Sequence, residues 1–320
     1  MNTVASLKFL NKVYTKAFSV NNFDYTDKLS QFDDQQTYEL LKKTMGSEKP
    51  AMVCRIGNVE MNCLLHYQAI HQNKDRLKKA VNYIQGKTLP FWWDTGIKHY
   101  MSNNAGFINP TDAALDRFCE RMLTDMSYLD ILGSWLKGEA YFDQYMPQAK
   151  KVKISMLAPW NYKDPWTEVL RDKKVLIVHP YEQSIKAQFA KRELLFKDDR
   201  MLPPFKLETV QAVQSIAGNP TGFNDWFDAL HHMEDEISKK DFDIAIIGCG
   251  AYGFPLAAFV KRLGKRSLNL GGATQILFGI KGKRWRDHHV ESAMFNEYWS
   301  DPLPEEIPSK FKSIEGGAYW

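Results

Sequence analysis

Cysteine is scarce in this chain, and no two of the four residues Cys54, Cys63, Cys119 and Cys249 are spaced C-x-x-C. That spacing argues against a zinc site. Cys54 and Cys249 fall inside apolar runs, where a thiol serves as a small core side chain. No run of 18 apolar residues occurs, so no transmembrane helix is expected. No signal peptide is visible either, which makes the cytoplasm the expected compartment. Charge of one sign is also lacking. A net charge of +4 is too mild to argue for nucleic acid, and none is expected as a partner. The small excess favours an anionic substrate or a membrane surface. Internal repeats and low-complexity linkers are absent. What remains is 44% hydrophobic and 25% charged, an ordinary globular composition, and 320 residues suffice for one large or two ordinary domains. Aromatic residues are plentiful at 13%, a mild tilt toward glycan ligands.

The most informative stretch is 243–285. Ile244 to Ile247 is a continuous apolar run without alternation, the pattern of a parallel strand buried on both faces. Gly248, Gly250 and Gly253 then satisfy G-x-G-x-x-G. Glycines at those positions permit a tight turn and a close approach of the backbone to a pyrophosphate, and the helix that follows offers unpaired N–H groups. Pro255 suits the first helical turn, and Gly264 terminates it. Ser267 to Leu270 reads as the next strand. Gly271-Gly272-Ala273-Thr274 is its exit loop, and Lys281, Lys283 and Arg284 form a basic cluster beyond it.

Two other apolar runs end in polar loops that open helices. Ala51 to Ile56, interrupted by Arg55, leads into Gly57-Asn58 and a helix from Val59. Val175 to Val178 ends in His179-Pro180-Tyr181, with Ser184 as the expected cap of a helix to about Phe196. Further strands are expected at Asp130–Trp135, 152–158 and Leu207–Ile216, and helices at 111–126 and Trp226–Ile237. Residues 90–110, rich in aromatics and turn formers, read as a long loop. The fold class is α/β: a Rossmann-like, mostly parallel sheet with helices on both faces. We divide the chain into an N-terminal helical segment 1–49, a catalytic domain 50–285 with a composition break near 160–173 that admits two lobes, and a C-terminal tail 286–320 packed on the body. Within the first segment Leu7, Leu10, Tyr14 and Phe18 recur at helical spacing beside a stripe of Lys8, Lys12 and Lys16. A helix packed on the body is the preferred reading, and a basic helix lying on an anionic membrane is the alternative. In an open parallel sheet the three loops share one edge, where ligands bind. Arg55, Asn58, Glu60, His179, Glu182, Tyr252, Asn269, Thr274 and Gln275 are expected to converge there.

A dinucleotide site expects an acid about 20 residues past the first glycine to bind ribose. The residue there is Asn269. Instead, CRIGNVEMN at 54–62, IIGCGAYGFPLAAFVKRLGK at 246–265 and LNLGGATQILFG at 268–279 together resemble GT-D-type glycosyltransferases, in particular members associated with bacterial surface-polysaccharide synthesis. The resemblance implies an enzyme that moves a sugar from a nucleotide-diphosphate donor to a glycan or lipid-linked acceptor. It also implies an R-x-G-D-x-E-like signature with a D-x-E motif for manganese or magnesium. Here the matching residues are Arg55, Gly57, Asn58 and Glu60, so an amide replaces the first acid. A hard divalent cation prefers carboxylate oxygens. The metal is therefore in doubt, with Glu60 its one candidate ligand and Lys283 or Arg284 the substitute charge.

The expected nucleotide-sugar-binding residues are Arg55, Gly57, Asn58, Gly248, Gly250, Tyr252, Gly253, Asn269, Gly271, Gly272, Thr274, Gln275, Lys283 and Arg284. The backbone N–H groups of Gly250 to Gly253 are expected to hold the departing diphosphate. Glu60 and His179 are the candidate bases, and Asp94, Asp130, Glu139 and Glu182 are further carboxylates that the sequence does not rank. Arg55, a charge in an apolar strand, must be paired or ligand-facing, with Glu60 the obvious partner. Trp92, Trp93, Trp135 and Trp160 are candidates for stacking on acceptor sugars. A nicotinamide-dependent oxidoreductase or epimerase using the GCGAYG loop, and a non-catalytic nucleotide- or glycan-binding subunit, are the competing readings. Peripheral membrane association, at the inner face, stays open, as does the oligomeric state.

Overall fold

Seven strands form one parallel sheet in the computed structural model, which describes residues 3–19, 30–72 and 75–320. Residues 1–2 and 20–29 of the expected N-terminal helical segment lie outside the described residues. The strands are β1 (Ala51–Cys54), β2 (Ile131–Ser134), β3 (Lys150–Lys153), β4 (Lys174–His179), β5 (Lys206–Gln211), β6 (Ile244–Ile247) and β7 (Arg266–Asn269), in the spatial order β3-β2-β1-β7-β6-β4-β5. Every pairing is parallel. The principal helices are α1 (Thr3–Ala17), α2 (Asp34–Gly46), α3 (Asn58–His71), α4 (Arg76–Ile84), α5 (Thr95–Asn103), α6 (Asp112–Met126), α7 (Glu182–Phe189), α8 (Trp226–Ser238), α9 (Gly253–Arg262) and α10 (Ala273–Leu277).

The absence of alternation in the central strands has a direct cause. Met52, Cys54, Leu176, Val178, Ala245 and Ile247 pack into one core with α3, α6, α8 and α9. Val53, Val175, Ile177, Ile244, Ile246 and Leu268 pack into a second core with α2, α7 and α10. Successive side chains point to opposite faces, and both faces are covered, so each position must be apolar. The edge strands differ: β3 is exposed at both ends and carries three lysines, which discourages pairing with another chain.

Strands from either side of the composition break at 160–173 lie in one sheet, since β1 pairs with β7. The break is the crossover from β3 to β4, built of short 3₁₀ turns. Three local expectations are corrected. Residues 95–103 are helical rather than loop, because Asp94 caps α5 by accepting from the Gly96 N–H at 2.6 Å. The strand expected at 152–158 ends at Lys153 and gives way to a 3₁₀ turn. Ser184 does not cap α7, which starts after Tyr181 and ends at Phe189. Among the described residues no helix is long and apolar enough to cross a membrane.

Candidate functional site

The carboxyl ends of all seven strands share one edge because all seven are parallel. The chain leaves β1 into α3 on one face of the sheet and leaves β7 into α10 on the other. Adjacent strands whose exits diverge leave a crevice, the place where open α/β sheets bind ligands. A cleft sits there. It is lined by the loops after β1, β4, β5, β6 and β7, by Trp135 after β2 and by Tyr319 and Trp320 from the tail.

Arg55 spans this crevice. Its Nη1 reaches so near Gly271 that a Cβ there would lie 2.5 Å away, and Gly271 also holds φ at +57°. The guanidinium lies over the Trp135 ring at 5.1 Å. Its buried Nε has no hydrogen-bond partner, and no ion pair to Arg55 is found among the described residues. The expected pair with Glu60 is not made. A guanidinium is a rigid fork of donors, and holding one partly buried with nothing to donate to is costly. The arrangement suits an incoming anion that takes both prongs.

Glu60 stands in the first turn of α3 and folds back over Gly57, accepting from its own backbone N–H. A Cβ at Gly57 would land on its carboxylate, so this glycine leaves the room for Glu60 to fold back. Burial raises the Glu60 pKa above the usual range, and the charge of Arg55 partly offsets that rise. The other candidate carboxylates are committed elsewhere. Asp94 caps α5 and pairs with Lys8 at 2.7 Å. Asp130 lies at the amino end of β2, bound to the Met52 N–H and to Lys261. Buried Glu139 accepts from Ser134 and from the Trp135 and Leu136 N–H groups. Glu182 bonds Thr209 and Lys186. Glu60 alone of these faces the cleft without a side-chain partner.

His179 is buried at the end of β4, and desolvation takes its pKa down to about 3. Its Nδ1 accepts from the Tyr181 N–H at 3.0 Å, which leaves the proton on Nε2. A neutral imidazole in that tautomer donates into the cleft and is poorly suited to the base role expected of it.

The glycine loop behaves differently from expectation in one respect. The Ala251 N–H donates to the Ala105 carbonyl, that of Tyr252 to Cys249 and that of Gly253 to Gly250. The amides left without a partner are those of Cys249 and Gly250, and Gly250, at φ +57°, is exposed. Gly248 is required by packing: a Cβ would lie 2.6 Å from the Gly271 carbonyl oxygen and 2.8 Å from His179. A Cβ on Gly253 would meet the Asn269 amide at 2.9 Å.

Several expected binding residues are occupied by structural work. Asn269 is buried, accepting from the Gly271 N–H at 3.1 Å and donating to Cys54 Sγ at 3.2 Å. Tyr252 stacks on Trp226 at 5.1 Å and bonds Ser215. Thr274 Oγ1 donates to the Ile247 carbonyl. Gln275 donates to the carbonyls of Lys281 and Tyr319, tying the tail down. Gly272 lies beneath the Tyr319 ring. Lys283 reaches the Gly316 carbonyl. Arg284 is at the rim, but Glu315 pairs with it and Tyr319 lies beneath it. Of the candidate stacking tryptophans only Trp135 reaches the cleft, held by its Nε1 donating to the Ile56 carbonyl. Trp93 bonds Asp116, Trp160 bonds Glu291 and Trp92 packs on Tyr83. Burial pushes the Cys54 thiol up to about 12 and Cys249 higher still, so both are inert.

The donor set does not fit a hard divalent cation. Asn58 is exposed, Glu60 is a single carboxylate, and an unneutralised guanidinium stands in the same crevice. Among the described residues no three His, Cys, Asp or Glu side chains converge. Sequence reasoning missed Glu315, Tyr319 and Trp320. Their one local signal is a Gly-Gly turn between an acid and two aromatics. Comparisons of the chain with protein-family models, with curated proteins and with solved structures give no match.

Proposed function

We propose that the protein transfers a glycosyl group from a nucleoside-diphosphate sugar to a hydroxyl of a glycan or lipid-linked acceptor, as in surface-polysaccharide synthesis. The observation that carries this reading is a partnerless arginine and a carboxylate of raised pKa in one crevice, Arg55 and Glu60. The motif resemblance to GT-D-type glycosyltransferases supports it, and the setting that follows is the cytoplasm, at the inner face of the membrane for a lipid-linked acceptor.

In this account the diphosphate lies against the Arg55 fork and the free amides of Cys249 and Gly250. The bond from the anomeric carbon to the diphosphate oxygen breaks, and its electron pair leaves with the phosphate. Arg55 and the two amides stabilise that developing charge. The acceptor oxygen forms the new bond to the anomeric carbon, and Glu60 takes its proton. The His179 Nε2–H orients the donor. No step is routed through a metal, because Glu60 serves as base and Asn58 brings no charge. A dinucleotide is disfavoured because both groups of the Asn269 amide are already engaged. A thermal-shift panel of UDP, GDP, CMP, dTDP and NAD(H), with and without manganese, tests the reading. Stabilisation by a nucleoside diphosphate without metal supports it, and stabilisation by NAD(H) alone defeats it. Binding of a nucleotide sugar with neither hydrolysis nor transfer points to a non-catalytic subunit.

A further inference from the structure

α1 and α4 pack against each other, with Asn11 donating to the Tyr83 carbonyl across the pair at 2.7 Å. No residue of α1 is fully buried. Its partly covered positions include Leu7, Asn11 and Tyr14, which share one side of a 3.6-residue helix. The far side presents Phe9, Leu10 and Val13, at 61%, 46% and 50% exposure. On α4, Leu77 and Val81 lie one turn apart and are 75% and 44% exposed. Five large apolar side chains are thus open on two touching helices.

The charge that the two helices themselves carry has one sign. α1 carries Lys8, Lys12 and Lys16, α4 carries Arg76, Lys78 and Lys79, and neither helix contains an acid. Lys8 is paired with Asp94, and Lys79 donates to the Ile70 carbonyl. Lys12, Lys16, Arg76 and Lys78 have no ion-pair partner among the described residues. Asp75, the cap of α4, is directed at the Leu77 and Lys78 N–H groups.

We propose that this helix pair docks on an anionic lipid surface. Apolar side chains that enter the headgroup boundary, flanked by cations that meet lipid phosphates, are the chemistry of an interfacial helix. A second copy of the chain fits less well, because a two-fold contact would set these cations against their own equivalents. The surface lies outside the cleft, and the proposal stands whatever ligand the cleft binds.

The test is co-sedimentation of the full chain with vesicles of phosphatidylcholine alone or mixed with phosphatidylglycerol. Binding to the mixed vesicles only, weakening as salt rises, is expected. The double variant Lys12→Ala with Lys16→Ala is expected to partition roughly 25-fold more weakly at low salt. Phe9→Ser with Leu77→Ser is expected to lose binding while thermal unfolding is unchanged, since both positions are exposed. Lys163→Ala with Lys197→Ala, exposed lysines elsewhere, is expected to bind as wild type. Absence of sedimentation, equal binding to neutral vesicles, or wild-type binding by the first two variants overturns the proposal. So does retention on immobilised polyglutamate without vesicle binding, which points to an acidic protein. A concentration-dependent dimer lost in Phe9→Ser, without vesicle binding, points to self-association and overturns it as well.

Discussion

Replacing Arg55 with methionine separates binding from stability in a way few substitutions can. The side chain keeps an unbranched apolar stem but is shorter, and it loses the charge, the donors and the guanidinium contact with Trp135. A hydrogen bond to a charged group contributes about 1.5–3 kcal/mol. Loss of the guanidinium contact with the diphosphate therefore raises Kd by a factor of roughly 10 to 150. In the fold two effects oppose one another. The buried Nε has no partner to orphan, and removing an unsatisfied buried donor relieves about 1–3 kcal/mol. The lost cation–π contact with Trp135, 5.1 Å from the guanidinium carbon, costs about 0.5–2 kcal/mol. The net change in stability then lies between about 1 kcal/mol against the variant and about 2.5 kcal/mol in its favour. Arg55 also holds down the Glu60 pKa, so the acid limb of the activity profile moves to higher pH in the variant. Isothermal titration with UDP and GDP, urea unfolding and a pH profile read all three. An unchanged Kd, or a variant less stable by well over about 1 kcal/mol, refutes the argument, because Arg55 would then be a structural residue.

Glu60→Gln is expected to cut turnover by about 10²–10⁴ with nucleotide affinity nearly intact, measured by product formation beside titration. A carboxylate whose pKa is raised on folding weakens the fold as pH rises from about 4.3 upward. The amide variant should therefore be more stable at neutral pH, and the gain should vanish in acid. His179 acts in the opposite direction. The unfolded imidazole protonates near pH 6.5, whereas the folded one resists down to about 3. Wild-type stability is thus expected to fall as pH drops below about 6.5, and His179→Asn, whose side-chain oxygen can still accept from Tyr181, flattens that slope in urea titrations across pH. Gly248→Ala forces a Cβ within 2.6 Å of a backbone oxygen and should destabilise by about 1–3 kcal/mol. Gly57→Ala displaces only the flexible Glu60 side chain, so it should reduce turnover with little loss of thermal stability.

The central strands were legible because burial on both faces leaves a continuous apolar run, and 244–247 and 175–178 are such runs. Their order was not, because nothing in a strand's composition names its neighbour. The loops after β1, β4 and β6 do meet at one edge, as the parallel reading requires. Roles within that edge were harder to read. Ranking Glu60 over Asp130 or Glu139 depends on partners far apart in the chain. Asn269 and Gln275 looked like ligand groups because polar residues after strands often are, yet here they hold turns and the tail. The N-terminus of α7 shows the same limit: the expected cap, Ser184, instead shares the buried Glu306 carboxylate with the Gln183 N–H, a contact spanning 122 residues. Helix α5 was missed because only Ile97 and Met101 are buried along it, too few to set a period.

The central claim is that a nucleoside diphosphate is held at the β1–β7 crevice by Arg55 and free amides. Its most direct test is titration of UDP and GDP into the metal-stripped protein in chelator, repeated in manganese. The account predicts saturable binding in chelator, unchanged by manganese and weakened in Arg55→Met. Binding that appears only with manganese, or that is indifferent to Arg55, contradicts it.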